Sequence, residues 1–83
     1  MQTYKIEIDK PAIKFLERLP AKEKKRILSK IFKLPNTSGV KKLTGYSNWY
    51  RLRIGDYRII YEKLEDRLII IILEVGNRGD IYK

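Results

Sequence analysis

The stretch from Trp49 to Tyr61, WYRLRIGDYRIIY, decides the fold. Two alternating runs flank Gly55-Asp56, and this arrangement predicts a β-hairpin closed by a two-residue turn. Such a turn fixes the register, and directly paired residues share a face, so one side of the hairpin is wholly apolar. The pairs on that side are Ile54 with Tyr57, Leu52 with Ile59, and Tyr50 with Tyr61. We expect this side to face the core.

The opposite side of the hairpin, called the arginine face below, is basic. It carries Trp49, Arg51, Arg53, Arg58, Ile60 and Glu62. The register puts Arg53 directly opposite Arg58, and like charges in direct opposition destabilise a hairpin by up to about 1 kcal/mol. A sequence selected only for folding tends to avoid such a pair. We therefore interpret the arginine face as a surface that binds an anion.

The composition favours a small basic domain with a polyanionic partner. The chain has 83 residues, a net charge of +9, and no cysteine or histidine. This length suits one domain, and the charge favours nucleic acid over a membrane, because no long amphipathic basic helix stands apart from the core. The missing residue types exclude disulfides, thiolate metal sites, histidine bases and the usual zinc ligands. Any chemistry is left to carboxylates, Lys, Arg, Tyr, Ser and Thr, and no cofactor is expected.

The chain has no segment that resembles a signal peptide or a membrane span. Its N-terminus lacks an apolar secretory stretch, and the longest aliphatic run, from Leu68 to Leu73, is far too short to cross a bilayer. The absence of cysteine is compatible with a reducing compartment. We expect a cytoplasmic protein with no membrane partner.

The first half of the chain predicts one strand followed by two helices. Residues Thr3 to Ile8 alternate as in a strand with one buried side. Asp9 is a typical N-cap and Pro11 suits the first turn of a short helix that ends before Pro20. A second helix is expected from about Ala21 to Leu34. Its lysines are interpreted as a solvated face that adds to the attraction for a polyanion.

The β-branched run near the C-terminus predicts a strand in the centre of the sheet, but its register is ambiguous. A two-residue turn would put Glu74 on the core face opposite Tyr57. A three-residue loop, Glu65 to Arg67, sets Glu74 opposite Arg58 instead, which avoids an unpaired buried carboxylate. We adopt this second register. Its expected core residues are Val75, Leu73, Ile71 and Ile69, and its expected arginine-face residues are Glu74, Gly76 and Arg78.

These elements predict an α+β fold in the order β-α-α-β-β-β. Two helices pack on one face of a mostly antiparallel four-stranded sheet, and the other face is a basic, partly aromatic concavity. Residues that follow one another on the same face of a strand are about 6.6 Å apart. Arg51 and Arg53 can therefore engage neighbouring phosphates while Arg58 and Arg78 converge on one of them.

Aromatic and lysine side chains flank this predicted site. Tyr82, Trp49 and Tyr46 offer ring faces on which unstacked bases can stack. Trp49 at a strand start is more often a partly buried core or rim aromatic than a stacking platform. Lys41 and Lys42 precede the arginine strand, and they are interpreted either as solubility determinants or as phosphate contacts.

Three motifs follow one another along the chain. They are Lys42-Leu43-Thr44-Gly45, the stretch from Tyr50 to Tyr61, and Val75-Gly76-Asn77-Arg78 with Tyr82 near the end. Together they resemble the RelE branch of the RelE/ParE toxin superfamily. The resemblance covers nearly the whole chain, so residues 1–83 are expected to form a single RelE-like domain.

The resemblance implies the toxin of a type II toxin–antitoxin pair, an endoribonuclease that cleaves mRNA in the ribosomal A site and inhibits translation. Its implied partners are mRNA, the ribosome and a cognate acidic antitoxin. Its implied chemistry is attack of a 2′-hydroxyl on the adjacent phosphodiester without a metal. The implied catalytic residues are Arg53, Arg58, Arg78 and Tyr82, and Arg51 is implied to bind the RNA backbone. With the flanking residues above, the expected RNA-binding set is Lys41, Lys42, Trp49 and Arg51.

Several alternatives stay open. The general base is Tyr82, Glu74 or a group of the ribosome, because a guanidinium is a poor base. Asn77 stands where many relatives have His or Lys, and no helix is expected after Tyr82. The alternative functions are a gyrase inhibitor that resembles the ParE branch, and an RNA-binding module without activity.

Overall fold

The computed structural model describes residues 3–45 and 47–77. In chain order the elements are strand β1 (Lys5–Ile8), helices α1 (Lys10–Glu17) and α2 (Ala21–Ile31), and strands β2 (Val40–Lys42), β3 (Trp49–Ile54), β4 (Tyr57–Leu64) and β5 (Ile69–Asn77). The five strands form one sheet in the order β1-β5-β4-β3-β2. All neighbouring strands are antiparallel except β1 and β5, which are parallel. The predicted α+β class is confirmed, but the prediction of four strands is wrong.

The strand that the prediction missed is β2. It has three residues, too few to show an alternating pattern. Gly39 lets the chain approach β3: its φ is +85°, its carbonyl accepts a hydrogen bond of 3.1 Å from the N–H of Arg53, and a Cβ there would lie 3.0 Å from the carbonyl oxygen of Arg53. Strand β2 therefore depends on its pairing with β3 and on this close approach. A sequence of three residues predicts neither of these contacts.

The two helices cover one face of the sheet. Ala12 and Leu16 of α1 are buried, as are Ile27 and Ile31 of α2, at the four-residue spacing that forms one face of a helix. They pack on a row of sheet residues. These residues include Leu52, Ile54, Ile59, Tyr61, Ile70, Ile72 and Val75. Burying a side chain of this size stabilises the fold by roughly 1.5 to 3 kcal/mol.

The hairpin has the predicted register. Ile54 pairs with Tyr57, Leu52 with Ile59 and Tyr50 with Tyr61. The rings of Tyr50 and Tyr61 stack with centroids 5.4 Å apart, as expected for a direct cross-strand pair. The helix positions are also close to prediction, although α2 ends at Ile31 rather than Leu34 and the side chain of the N-cap residue Asp9 makes no capping hydrogen bond.

The predicted register of β5 is wrong along the whole strand, by one residue in the first half and by two in the second, so the wrong residues face the core only in the first half. Leu64 pairs with Ile69, so the connecting loop has four residues, and a β-bulge then makes Leu73 an extra residue in β5. The buried residues of this half are consequently Ile70 and Ile72, each 0% exposed, and not the expected Ile69, Ile71 and Leu73. The longer loop and the bulge each shift the pairing by one residue. Because a shift of two residues restores the original face, the residues beyond the bulge lie on the faces that were predicted.

The predictions for the second half of β5 have different outcomes. Val75 is in the core, as predicted, and Gly76 pairs with Arg58 on the arginine face. Glu74 is also on that face, but it pairs with Ile60. The prediction that Glu74 lies opposite Arg58 is therefore wrong.

Candidate nucleic-acid interface

The arginine face lies on the side of the sheet away from α1 and α2, because its residues alternate with the core residues of β3 and β4. Arg53 and Arg58 are directly opposite each other, as predicted. The N–H of Arg53 points away from β4, toward Gly39, so this is a non-hydrogen-bonded pair, in which the Cα atoms are only about 4.5 Å apart. The two guanidinium groups therefore extend from neighbouring positions.

Glycines flank this pair on both sides. Gly39, the residue before β2, lies opposite Arg53 when the pairing of β2 with β3 is extended by one residue, and Gly76 pairs with Arg58. We call these four residues, Gly39, Arg53, Arg58 and Gly76, the arginine row. Gly39 is exposed and carries no side chain, whereas Gly76 is buried, so the two guanidinium groups can contact a ligand that extends across the sheet toward β2.

The next row combines two cations, an apolar residue and a carboxylate. Lys41 pairs with Arg51, Arg51 with Ile60, and Ile60 with Glu74. We call these four residues the mixed row. Lys41 and Arg51 form a second like-charged pair in direct opposition, which the prediction missed together with β2. The signal for it was the turn-forming glycine before Val40-Lys41-Lys42.

Arg51 also has an unsatisfied donor. Its Nε is buried and has no hydrogen-bond acceptor in the parts of the chain that the structure describes. A buried donor without an acceptor costs roughly 1 to 3 kcal/mol. The three ion pairs among described residues join Lys5 to Glu7, Arg26 to Glu23 and Lys63 to Glu65, so none of them neutralises Lys41, Arg51 or Arg53. A phosphate oxygen would satisfy both the charge and the donor.

The remaining predicted site residues have different positions. Trp49 is half-buried on the arginine face opposite Glu62. Lys42 pairs with Tyr50, so it is in phase with the core face and lies at the exposed edge of the sheet, on the other side from Lys41. The predictions for Tyr46, Arg78 and Tyr82 fall outside the described residues.

The core face beneath the site contains one perturbed group. Burial raises the pKa of Tyr61 well above its usual range, and the neighbouring Tyr50 adds a smaller effect in the same direction. Tyr61 therefore stays protonated at physiological pH, and it lies on the opposite side of the sheet from the arginines. It is not a candidate base for chemistry at the arginine face.

Residues 3–45 and 47–77 contain no group of three carboxylates arranged to hold a metal ion. Within the same ranges, neither helix has the length and apolar character needed to cross a membrane.

Known proteins are similar to this chain in both sequence and fold. The sequence model of a family described as "ParE toxin of type II toxin-antitoxin system, parDE" matches residues 6–82. Toxin RelE3 of Methanocaldococcus jannaschii is 35% identical over 85 residues, which cover 94% of each chain.

Two solved structures extend this comparison. The archaeal RelE–RelB complex from Pyrococcus horikoshii OT3 contains a chain with 34% identity and a TM-score of 0.78, covering 94% of this chain and 98% of that one. A chain of the RelBE2 toxin–antitoxin complex from Mycobacterium tuberculosis gives a TM-score of 0.81 at 24% identity, over 96% and 97% of the two chains. At that identity the likeness supports the fold alone.

Proposed function

The chain belongs to the RelE/ParE family of type II toxin–antitoxin toxins, and from this membership we propose that it is an endoribonuclease that cleaves mRNA in the ribosomal A site and thereby inhibits translation. Relatives of at least 34% identity named as RelE toxins, or solved in RelE–RelB complexes, support the RelE branch, although the description of the matching family refers to ParE.

The observation that carries this proposal is the arginine row. Arg53 and Arg58 are opposed at short range and flanked by glycines, at a cost to the stability of the hairpin. During cleavage, the pentacoordinate phosphorus carries one more negative charge than the ground-state phosphodiester. Fixed guanidinium groups therefore stabilise the transition state more than the substrate, and one such donor is worth roughly 3 kcal/mol.

We assign the other residues by their positions. Arg51 and Lys41 hold the phosphate next to the cleaved one, since a neighbouring row lies about 6.6 Å away along the strands. Trp49 stacks on a base at the end of the same face, and Lys42 contacts the backbone from the rim of the sheet. Arg78 and Tyr82 complete the catalytic set in the roles that the family resemblance implies: Arg78 joins Arg58 at the phosphate, and Tyr82 orients the substrate by stacking.

The proposed reaction is an internal transfer. The 2′-oxygen loses its proton and bonds to the adjacent phosphorus, the bond from phosphorus to the 5′-oxygen breaks, and the 5′-oxygen takes up a proton. The products are a 2′,3′-cyclic phosphate and a 5′-hydroxyl. The guanidinium groups supply the charge stabilisation, so the proposal includes no metal ion and no cofactor.

We further propose that a cognate acidic antitoxin binds this toxin in the cytoplasm. Solved structures of relatives with 34% identity are complexes with RelB, and the net charge of +9 favours an acidic partner. The antitoxin neutralises the toxin by covering the arginine face.

The test is to express the protein in cells and to map new transcript 5′ ends. The expected result is growth arrest with new ends in frame on translated messages, and none on the same RNAs without ribosomes. Growth arrest with double-strand DNA breaks would instead support the gyrase inhibitor. Expression without any effect on growth would support a simple RNA-binding module.

A further inference from the structure

The bulge in β5 determines where the carboxylate of Glu74 lies. Before the bulge, Tyr61 pairs with Ile72. If that register continued without an extra residue, Glu74 would pair with Ile59, which is fully buried. Because Leu73 is the extra residue, Glu74 pairs with Ile60 and is exposed on the arginine face. Bulges commonly re-aim a side chain next to a functional site.

Glu74 lies close to the arginine row, and the two cations of the mixed row do not neutralise its charge. It is diagonal to Arg58, at a separation of roughly 7 to 8 Å that long side chains span. Ile60, 7% exposed, stands between Glu74 and Arg51 and keeps them two strand spacings apart, or about 9.6 Å. Glu74 takes part in none of the ion pairs among the described residues.

Glu74 is exposed next to the phosphate position, whereas Gly76, two residues farther along the same face of β5, is buried and pairs with Arg58. A phosphodiester held by Arg53 and Arg58 can therefore place its ribose beside the exposed carboxylate of Glu74. There the 2′-hydroxyl comes within hydrogen-bond reach of the Glu74 carboxylate.

We propose that Glu74 is the general base of this site. This inference rests on the proposed endoribonuclease function. The 2′-hydroxyl gives its proton to a carboxylate oxygen of Glu74 as the 2′-oxygen bonds to phosphorus, and the bond to the 5′-oxygen breaks with protonation of that oxygen by water. The guanidinium groups of the arginine row hold the phosphoryl oxygens and accept no proton.

Other described groups on this face do not fit the role. Lys41 and Arg51 are cations, and Glu62 lies in the row of Trp49, on the far side of the mixed row from Arg53 and Arg58. The charged groups on the strands around Glu74 are Arg58 and Glu62 on β4, Arg51 on β3, and Glu7 on β1, with Asp9 directly after β1. Of the carboxylates among them, Glu74 has the most direct approach to the arginine row.

The experiment measures single-turnover cleavage of mRNA in programmed ribosomes across a range of pH. Wild type should lose rate as the pH falls, because the base becomes protonated. Glu74→Gln should be roughly 100 to 1,000 times slower, within the usual range for loss of a general base, and its rate should no longer fall at acid pH. Glu74→Asp keeps a carboxylate on a shorter side chain, so it should give an intermediate rate and retain the fall.

Glu62→Gln is the matched control, because it removes the same charge from the same face one row beyond the mixed row. Its rate should stay within threefold of wild type. Glu74→Gln should bind an mRNA with a 2′-deoxy residue at the cleavage site with an affinity within threefold of wild type. Thermal unfolding checks that each variant is folded.

The outcomes separate this inference from the function on which it rests. If wild type leaves the mRNA intact, both the endoribonuclease and its base are excluded. If wild type cleaves but Glu74→Gln has an unchanged rate and pH profile, only the inference is overturned. A Glu74→Gln defect that appears in affinity alone also overturns it, because the residue then binds RNA and does not accept the proton.

Discussion

Arg53 lies directly opposite Arg58, and the backbone N–H of Arg53 is turned away from Arg58 toward the carbonyl of Gly39, 3.1 Å away. The two cations therefore occupy the closer kind of antiparallel pair. This relationship links the fold to the proposed function, because the same closeness that destabilises the hairpin concentrates positive charge for a phosphate.

Relieving this repulsion should stabilise the protein. Arg53→Glu replaces a like-charged pair by an oppositely charged one, so we expect the free energy of unfolding to rise by about 0.5 to 1 kcal/mol while RNA cleavage is lost. The measurement is the urea midpoint at low salt. Arg67→Glu makes the same change of charge in the exposed loop before β5 and should shift the stability by less than about 0.5 kcal/mol. Equal shifts in the two variants would show that only net charge matters.

Lys41 and Arg51 should contribute to the salt dependence of RNA binding. Each phosphate contact on a single strand contributes about 0.7 to the slope of log affinity against log salt, so Lys41→Ala and Arg51→Ala should each reduce the slope by about that amount. The measurement is affinity for a non-cleavable 2′-deoxy oligonucleotide across a salt series. Lys22→Ala, on the exposed surface of α2, is the control. A reduction of the slope by Lys22→Ala as large as by Lys41→Ala would contradict specific contacts at the mixed row.

Gly39→Ala should destabilise the protein more than Gly45→Ala does. Both glycines have a φ near +85° to +88°, so alanine is strained at either position. At Gly39 the new Cβ would also lie 3.0 Å from the carbonyl oxygen of Arg53, whereas at Gly45 no described atom lies within 4 Å. The difference between the two variants in thermal unfolding isolates the β2–β3 contact. Identical losses would mean that this close approach contributes nothing.

Tyr61 should make the stability fall at alkaline pH. Because burial raises its pKa in the folded state, the unfolded chain loses this phenolic proton first, near pH 10. The contribution of Tyr61 is fully present below that pH and is lost as the pH rises above it, by up to about 1.36 kcal/mol per pH unit. Tyr61→Phe removes the titrating group, so its stability should fall less steeply above pH 10 in urea titrations. Parallel curves for wild type and variant would contradict this assignment.

The hairpin shows what local sequence determines well. Gly55-Asp56 fixes the register of the strands around it, so the core face and the opposed Arg53 and Arg58 follow from pairing rules alone. The register of β5 depends on a four-residue loop and on a bulge at Leu73. Because the run is apolar at nearly every position, it has no alternating pattern from which either feature could be predicted.

The mixed row was missed for a related reason. Its Lys41 comes from β2, which is too short for a periodic pattern and exists through its pairing with β3. The position of Glu74 on the arginine face was predicted. Its pairing with Ile60 was not, because that pairing depends on the bulge. The assignments of Arg78 and Tyr82 stay predictions from the family resemblance.

The most direct test of the account is the single-turnover rate of ribosome-dependent mRNA cleavage by Arg53→Ala and Arg58→Ala, measured beside their affinity for the 2′-deoxy substrate. If the arginine row stabilises the transition state, each variant should cleave roughly 100 to 1,000 times more slowly, equivalent to about 2.7 to 4 kcal/mol, while affinity falls less than about tenfold. Cleavage at the wild-type rate by either folded variant, or a loss explained entirely by weaker binding, would contradict the account.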